Sequence, residues 1–156
     1  MDRRCLHGSS VANGSSFSAR LRDHPGAVYR WVEHTGEVEL AIEAHTEADV
    51  FAEALAALVD LLGVEDIAEE ERTIEAAAPD RPGLLAGWLE ELVFLVDAEG
   101  FEPVALRELD LGTESLRAVV AGHYGDPSPL VKAVTYHRLA FEPHGPGYRA
   151  TVVLDV

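Results

Sequence analysis

Three short stretches carry the residue types from which a site could be built. Glu33-His34-Thr35-Gly36-Glu37 puts two carboxylates and an imidazole within five residues, on a short Gly-containing connection. Such a connection can aim its side chains toward one point when the elements beside it are rigid. Asp155 and Val156 close the final strand pattern, and Val156 is expected to bring a free α-carboxylate beside the side-chain carboxylate of Asp155. Ca2+ and Mg2+ take oxygen ligands, so these two carboxylates and a third acid from elsewhere would make a workable cation site. The third stretch is Val131-Lys132-Ala133-Val134-Thr135-Tyr136-His137. Strand alternation there predicts Lys132, Val134 and Tyr136 on one face and Ala133, Thr135 and His137 on the other. A lysine beside Tyr and His suits acid–base or Schiff-base chemistry; it equally suits an ammonium that holds an acid across a sheet or a partner's phosphate. Lys132 is the only lysine of the chain, the other eleven cations being arginines. Each stretch alone also reads as ordinary surface: a polar hairpin turn, a solvated acid at a strand end, a charged strand.

Other chemistries lack their residues. No Gly-x-x-x-x-Gly-Lys loop, Gly-x-Gly-x-x-Gly fingerprint or His-Glu-x-x-His helix occurs, and these are the usual cradles for phosphate, dinucleotide and zinc. Cys5 is the sole cysteine, which excludes an intrachain disulfide and a cysteine-based zinc site; it is expected to be a bystander thiol. His7, His24, His45, His123 and His144 are scattered singly and are expected to be surface or hairpin residues. With 28 acidic and 12 basic side chains the formal charge is −16. Such a surface repels a phosphate backbone, so RNA is expected to be reached only through a protein partner. No apolar run approaches the roughly 20 residues that span a bilayer, and the first residues lack the apolar stretch of a secretory signal. A cytoplasmic protein with no membrane partner is expected.

The elements that must position these residues follow from periodicity. Residues 1–26 are rich in Gly, Ser, Arg and His without apolar spacing and are expected to be a flexible leader to a domain over 27–156. Tyr29–Glu33 and Val38–Glu43 alternate as half-buried strands do. Thr46 reads as an N-cap opening a helix with Phe51, Leu55, Leu58 and Leu62 on one stripe, closed by Gly63. An acidic edge strand is expected near Thr73-Ile74. A second helix follows Pro79–Gly83, burying Leu85, Trp88, Leu89, Leu92 and Val96 and ending at Gly100. Phe101–Leu111 with Ser115–Tyr124, and Val131–Phe141 with Tyr148–Val156, read as two hairpins. Two helices and a run of antiparallel strands predict an α+β domain of two layers, with a mixed, mostly antiparallel sheet and both helices on one face.

Taken in order, these stretches resemble motifs of the archease family. The family's Asp/Glu-His-Thr-Ala-Asp corresponds to Glu33–Glu37. Its Val-Lys-Ala-x-Thr-Tyr-His is matched by Val131–His137, its Leu-Leu-x-x-Trp-Leu-x-Glu-Leu by Leu84–Leu92, and its closing Val-x-Asp-Ile by Val153–Val156. The resemblance covers about residues 28–156. It implies a protein cofactor, without turnover of its own, for an RtcB-type RNA ligase of tRNA splicing and RNA repair. Such a cofactor promotes the ligase–guanylate intermediate and repeated turnover, with a divalent metal, Ca2+ or Mg2+. The resemblance carries the metal ligands onto Glu37, Asp155 and Val156 and the activating role onto Lys132, with Glu33, His34 and His137 placed around them. Two departures stand out: Gly36 replaces the motif's Ala, and Glu37 lengthens its Asp by one methylene. A metal-dependent hydrolase of a small phosphorylated substrate, using the same carboxylates and His34, is the alternative enzyme reading. A metal-free chaperone-like adaptor is the alternative binding reading.

Overall fold

The computed structural model describes residues 21–24, 26–127 and 130–156. Its chain order is β1 (Leu21–His24), β2 (Ala27–His34), β3 (Glu37–Ala44), α1 (Glu47–Leu62), β4 (Glu70–Ala77), α2 (Arg81–Glu99), β5 (Phe101–Leu111), β6 (Ser115–Tyr124), β7 (Ala133–His144) and β8 (Gly147–Asp155). The α+β class is the one expected. Strand β1 falls within the segment read as a leader and pairs antiparallel with β2; Cys5, His7 and the rest of residues 1–20 lie outside the described residues.

The strands divide into two sheets instead of one. The larger runs β1-β2-β3-β8-β7 and the smaller β4-β6-β5, and every pairing among the described residues is antiparallel. The helices account for the division. Helix α2 buries Leu84, Leu85, Ala86, Trp88, Leu89, Leu92, Leu95 and Val96, a broad apolar arc in place of a narrow stripe. So wide an apolar surface needs cover from more than one side. Accordingly α2 packs on β7 of the larger sheet and on β4 and β5 of the smaller, while α1 packs on β2 and β3 and also on β5. The buried side chains of both sheets and both helices form one core cluster.

Local chemistry fixes the helix ends. Thr46 Oγ1 accepts the Asp49 N–H at 3.0 Å, and Asp80 Oδ1 accepts that of Gly83 at 2.8 Å, each satisfying a donor that the first turn would leave unpaired. Gly63 and Gly100 close the two helices in left-handed conformations. Between the helices, the Trp88 indole N–H donates to the Phe51 carbonyl at 2.9 Å. No helix among the described residues is long and apolar enough to cross a membrane.

Candidate functional site

The larger sheet brings the distant stretches together at one end. Strand β3 begins at Glu37 and β8 ends at Asp155, and the register pairs these two residues directly. On its other side Asp155 is paired with Ala133 of β7, and beyond Glu37 the next partner is His34 of β2. Directly paired residues share a face, so His34, Glu37, Asp155 and Ala133 form a row across four strands. The row lies on the face opposite the core, because Val38, Leu154 and Val134, one step along each strand, are buried. Main-chain hydrogen bonds close the edge. Lys132 N–H donates to the Asp155 carbonyl at 2.7 Å, and Val156 N–H to the Gly36 carbonyl at 3.1 Å. Lys132 is exposed, and its ammonium makes no hydrogen bond or ion pair with the described residues.

The turn that starts β3 explains Gly36. His34 pairs with Glu37, leaving Thr35-Gly36 as a two-residue loop, and Gly36 has φ +73. Tight hairpins need this left-handed backbone, which glycine adopts at no steric cost. A Cβ at Gly36 would meet nothing within 4 Å, so a side chain there would suffer only backbone strain. Gly36→Ala is therefore expected to lower stability by about 1–2 kcal/mol, read as a reduced urea midpoint at unchanged slope. A loss beyond about 3 kcal/mol would contradict strain as the sole cause.

Strand β7 does not keep the alternation expected of it. The register passes from Thr135–Val153 to Ala140–Thr151, so residues 136–139 stand opposite Val152 alone. Val134 is buried, whereas Lys132 and Tyr136 are exposed, so the three do not share one face. Lys132 precedes the strand and Tyr136 has left its ladder. Within the bulge Arg138 has φ +60, a conformation uncommon outside glycine. Its guanidinium lies 3.9 Å from both the Glu37 and the Glu39 carboxylates. Partial desolvation, then the negative charges of Glu90 and Asp80, push the Tyr136 phenol pKa up.

The other candidates are placed differently. His34 faces Glu39 at 3.8 Å. Glu33 is paired with Val38 and so projects to the face opposite Glu37. His137 is exposed, and its N–H donates to Thr135 Oγ1 at 3.3 Å. Two neighbours of the edge went unread in the sequence. Glu39 lies two residues along β3 on the face of Glu37, a position that strand alternation could have supplied. Arg138 had no signal, because only the bulge aims it there. His123, expected to be a surface or hairpin residue, belongs to the β5–β6 hairpin and is buried.

The oxygen donors of Glu37, Glu39, Asp155 and the Val156 main chain are of the kind that hard cations accept. They are not drawn into a cage: among the described residues no three His, Cys, Asp or Glu side chains are gathered as metal ligands. The arrangement is an acidic sheet edge, partly neutralised by Arg138, beside an ammonium that is unpaired among the described residues.

Comparison with known proteins assigns the fold to a family. The model of the Archease protein family matches residues 29–156. The protein archease of Methanosarcina mazei is 31% identical over 143 residues, covering 84% of this chain and 97% of that one. That of Methanopyrus kandleri is 36% identical over 135 residues, covering 80% and 96%. Among solved structures, protein 1598 of Methanobacterium thermoautotrophicum is 25% identical with a TM-score of 0.64, over 81% of this chain and 96% of that one. An archease of Thermotoga maritima, described as a possible chaperone, has the same fold, with a TM-score of 0.59 at 20% identity over 80% and 94% of the two chains. With the family model spanning both helices, the strands from β2 to β8 and the acidic edge, the chain belongs to the Archease family.

Proposed function

We propose that this protein is an activator of an RtcB-type RNA ligase, acting in the cytoplasm without turnover of its own. In this reading it promotes formation of the ligase–guanylate intermediate and lets the ligase turn over repeatedly in tRNA splicing and RNA repair. The observation that carries the reading is the convergence of Glu37, Lys132, Asp155 and Val156 on one sheet edge in a member of the family. Their roles follow from chemistry. The Lys132 ammonium, unpaired among the described residues, is available to phosphate oxygens of the ligase–nucleotide complex. Glu37, Asp155 and the main-chain oxygens of Val156 would hold a hard divalent cation, Ca2+ or Mg2+. Such a cation would add positive charge where a nucleotidyl group is positioned and its phosphates are neutralised. The charge of −16 keeps the protein off free RNA and favours a basic face on a partner.

Arg138 competes with that cation for Glu37 and Glu39. Arg138→Ala should therefore tighten Ca2+ binding several-fold, since an exposed ion pair contributes up to about 1 kcal/mol. Isothermal calorimetry of wild type and variant checks this; equal or weaker binding by the variant would remove Arg138 from the cation site.

The proposed function itself is tested by two assays on the purified protein. Alone, with Mg2+ or Mn2+, it should release no product from phosphoester substrates. Added to an RtcB-type ligase, it should raise the rate of guanylylation and the number of turnovers. Product release by the protein alone, abolished by Glu37→Gln, would favour a hydrolase instead.

A further inference from the structure

A second feature lies on the smaller sheet and shares none of the residues of the acidic edge. Strands β5 and β6 set Glu102 directly opposite His123. Their side chains are only 12% and 11% exposed, and both line a cavity of about 630 Å3 between the end of α1, the loop after it and the end of β6. His123 Nε2 lies 3.2 Å from the Glu65 carbonyl and 3.5 Å from Glu102 Oε1. No hydrogen bond to the Glu102 carboxylate is formed by any described residue. Its second oxygen lies against Gly125, where a Cβ would come within 2.9 Å of Oε2. The carboxylate thus lines the cavity with the His123 ring as its ion-pair neighbour among the described residues.

The mouth of the cavity has the opposite character. Five large hydrophobic side chains are exposed among the described residues, and three of them, Ile67, Tyr124 and Leu130, line this one cavity. Glu65 and Glu69 add carboxylates beside them. A bare metal ion would leave the apolar collar unused and find too few oxygen donors. Nucleic acid would be repelled by the same carboxylates, and a second copy of so acidic a chain would repel the first. What complements an anionic floor and an apolar collar is a cation on an apolar stem. Guanidinium suits best, because it offers several planar donors to one carboxylate and stacks on an aromatic ring such as Tyr124.

We propose that this cavity is a docking pocket for an arginine side chain on an apolar segment of a protein partner. The guanidinium meets Glu102, and the stem and its neighbours lie among Ile67, Tyr124 and Leu130. The pocket does not depend on the cation edge, and it holds whether the partner is a ligase or another protein.

The test uses the full chain, isotopically labelled, titrated with an acetylated and amidated Leu-Arg-Leu peptide and followed by amide NMR shifts. Saturable shifts at Ile67, Tyr124 and Leu130 are expected. Replacing arginine by citrulline, which is neutral, should weaken binding about tenfold, as should Glu102→Gln. Should Glu102→Gln fail to fold, Leu130→Ser at the exposed collar should weaken binding in the same direction. Equal binding of the citrulline peptide would overturn the proposal, as would shifts confined to Glu37, Glu39 and Asp155 or no saturable shift at all. Shifts that disappear on dilution without peptide would assign the pocket to a second copy and overturn it too.

Discussion

Trp88→Ala should cost about 3–5 kcal/mol of folding free energy. Trp88 is fully buried on α2, among side chains that face both sheets. Its removal opens a cavity at the junction of the two layers and deletes the hydrogen bond to the Phe51 carbonyl of α1. Domains of this size have only about 5–15 kcal/mol in total, so the variant should unfold at a much lower urea concentration. Trp88→Phe separates packing from hydrogen bonding. It retains most of the ring volume and should lose only about 1–2 kcal/mol. Equal losses in the two variants would mean that the indole N–H, and not the volume, holds the helices together.

Lys132→Ala should leave stability within about 0.5 kcal/mol of wild type, yet lower stimulation of ligase guanylylation roughly tenfold to hundredfold. Exposure of the ammonium and its lack of a partner among the described residues account for the first half. Loss of a charge-assisted contact worth about 1.5–3 kcal/mol accounts for the second. The main-chain bond from Lys132 to Asp155 survives the substitution, so the edge itself stays in place. Lys132→Arg keeps the charge and should restore part of the effect. Full stimulation by the alanine variant would take Lys132 out of the activating role.

How much of this was readable beforehand varies with the range of the interaction involved. Local signals served well: the Thr46 cap and the glycines after each helix marked helix ends that the structure keeps. Phe101–Leu111 and Ser115–Tyr124 match β5 and β6 residue for residue. Pairing across the chain was less accessible. One alternating pattern looks the same in either sheet, so nothing in β4, β5 or β6 announced that they leave the sheet of β2 and β3. The bulge at 136–139 was hidden for a related reason. Its residues continue a plausible strand pattern, and only the register to β8 shows Arg138 turned onto Glu37 and Glu39. Glu39 was overlooked as one more polar residue on an outward face. The proximity of Glu37 and Asp155, far apart in sequence, comes from the β3–β8 pairing, which the order of the family motifs anticipated but local patterns did not. His123, isolated in sequence and read as a surface or hairpin residue, is a hairpin residue whose burial opposite Glu102 periodicity cannot name.

The central claim is that the acidic edge acts on a ligase, and one measurement addresses it directly. Guanylylation of an RtcB-type ligase is followed with labelled GTP at limiting divalent cation, with wild-type protein and with Glu37→Gln/Asp155→Asn. Both substitutions preserve shape on an outward face, so circular dichroism should show the same fold in each. Wild type should accelerate guanylylation and carry the ligase through repeated turnovers, and the double variant should leave the ligase close to its unassisted rate. Equal stimulation by the two proteins, or none by wild type, would contradict the account.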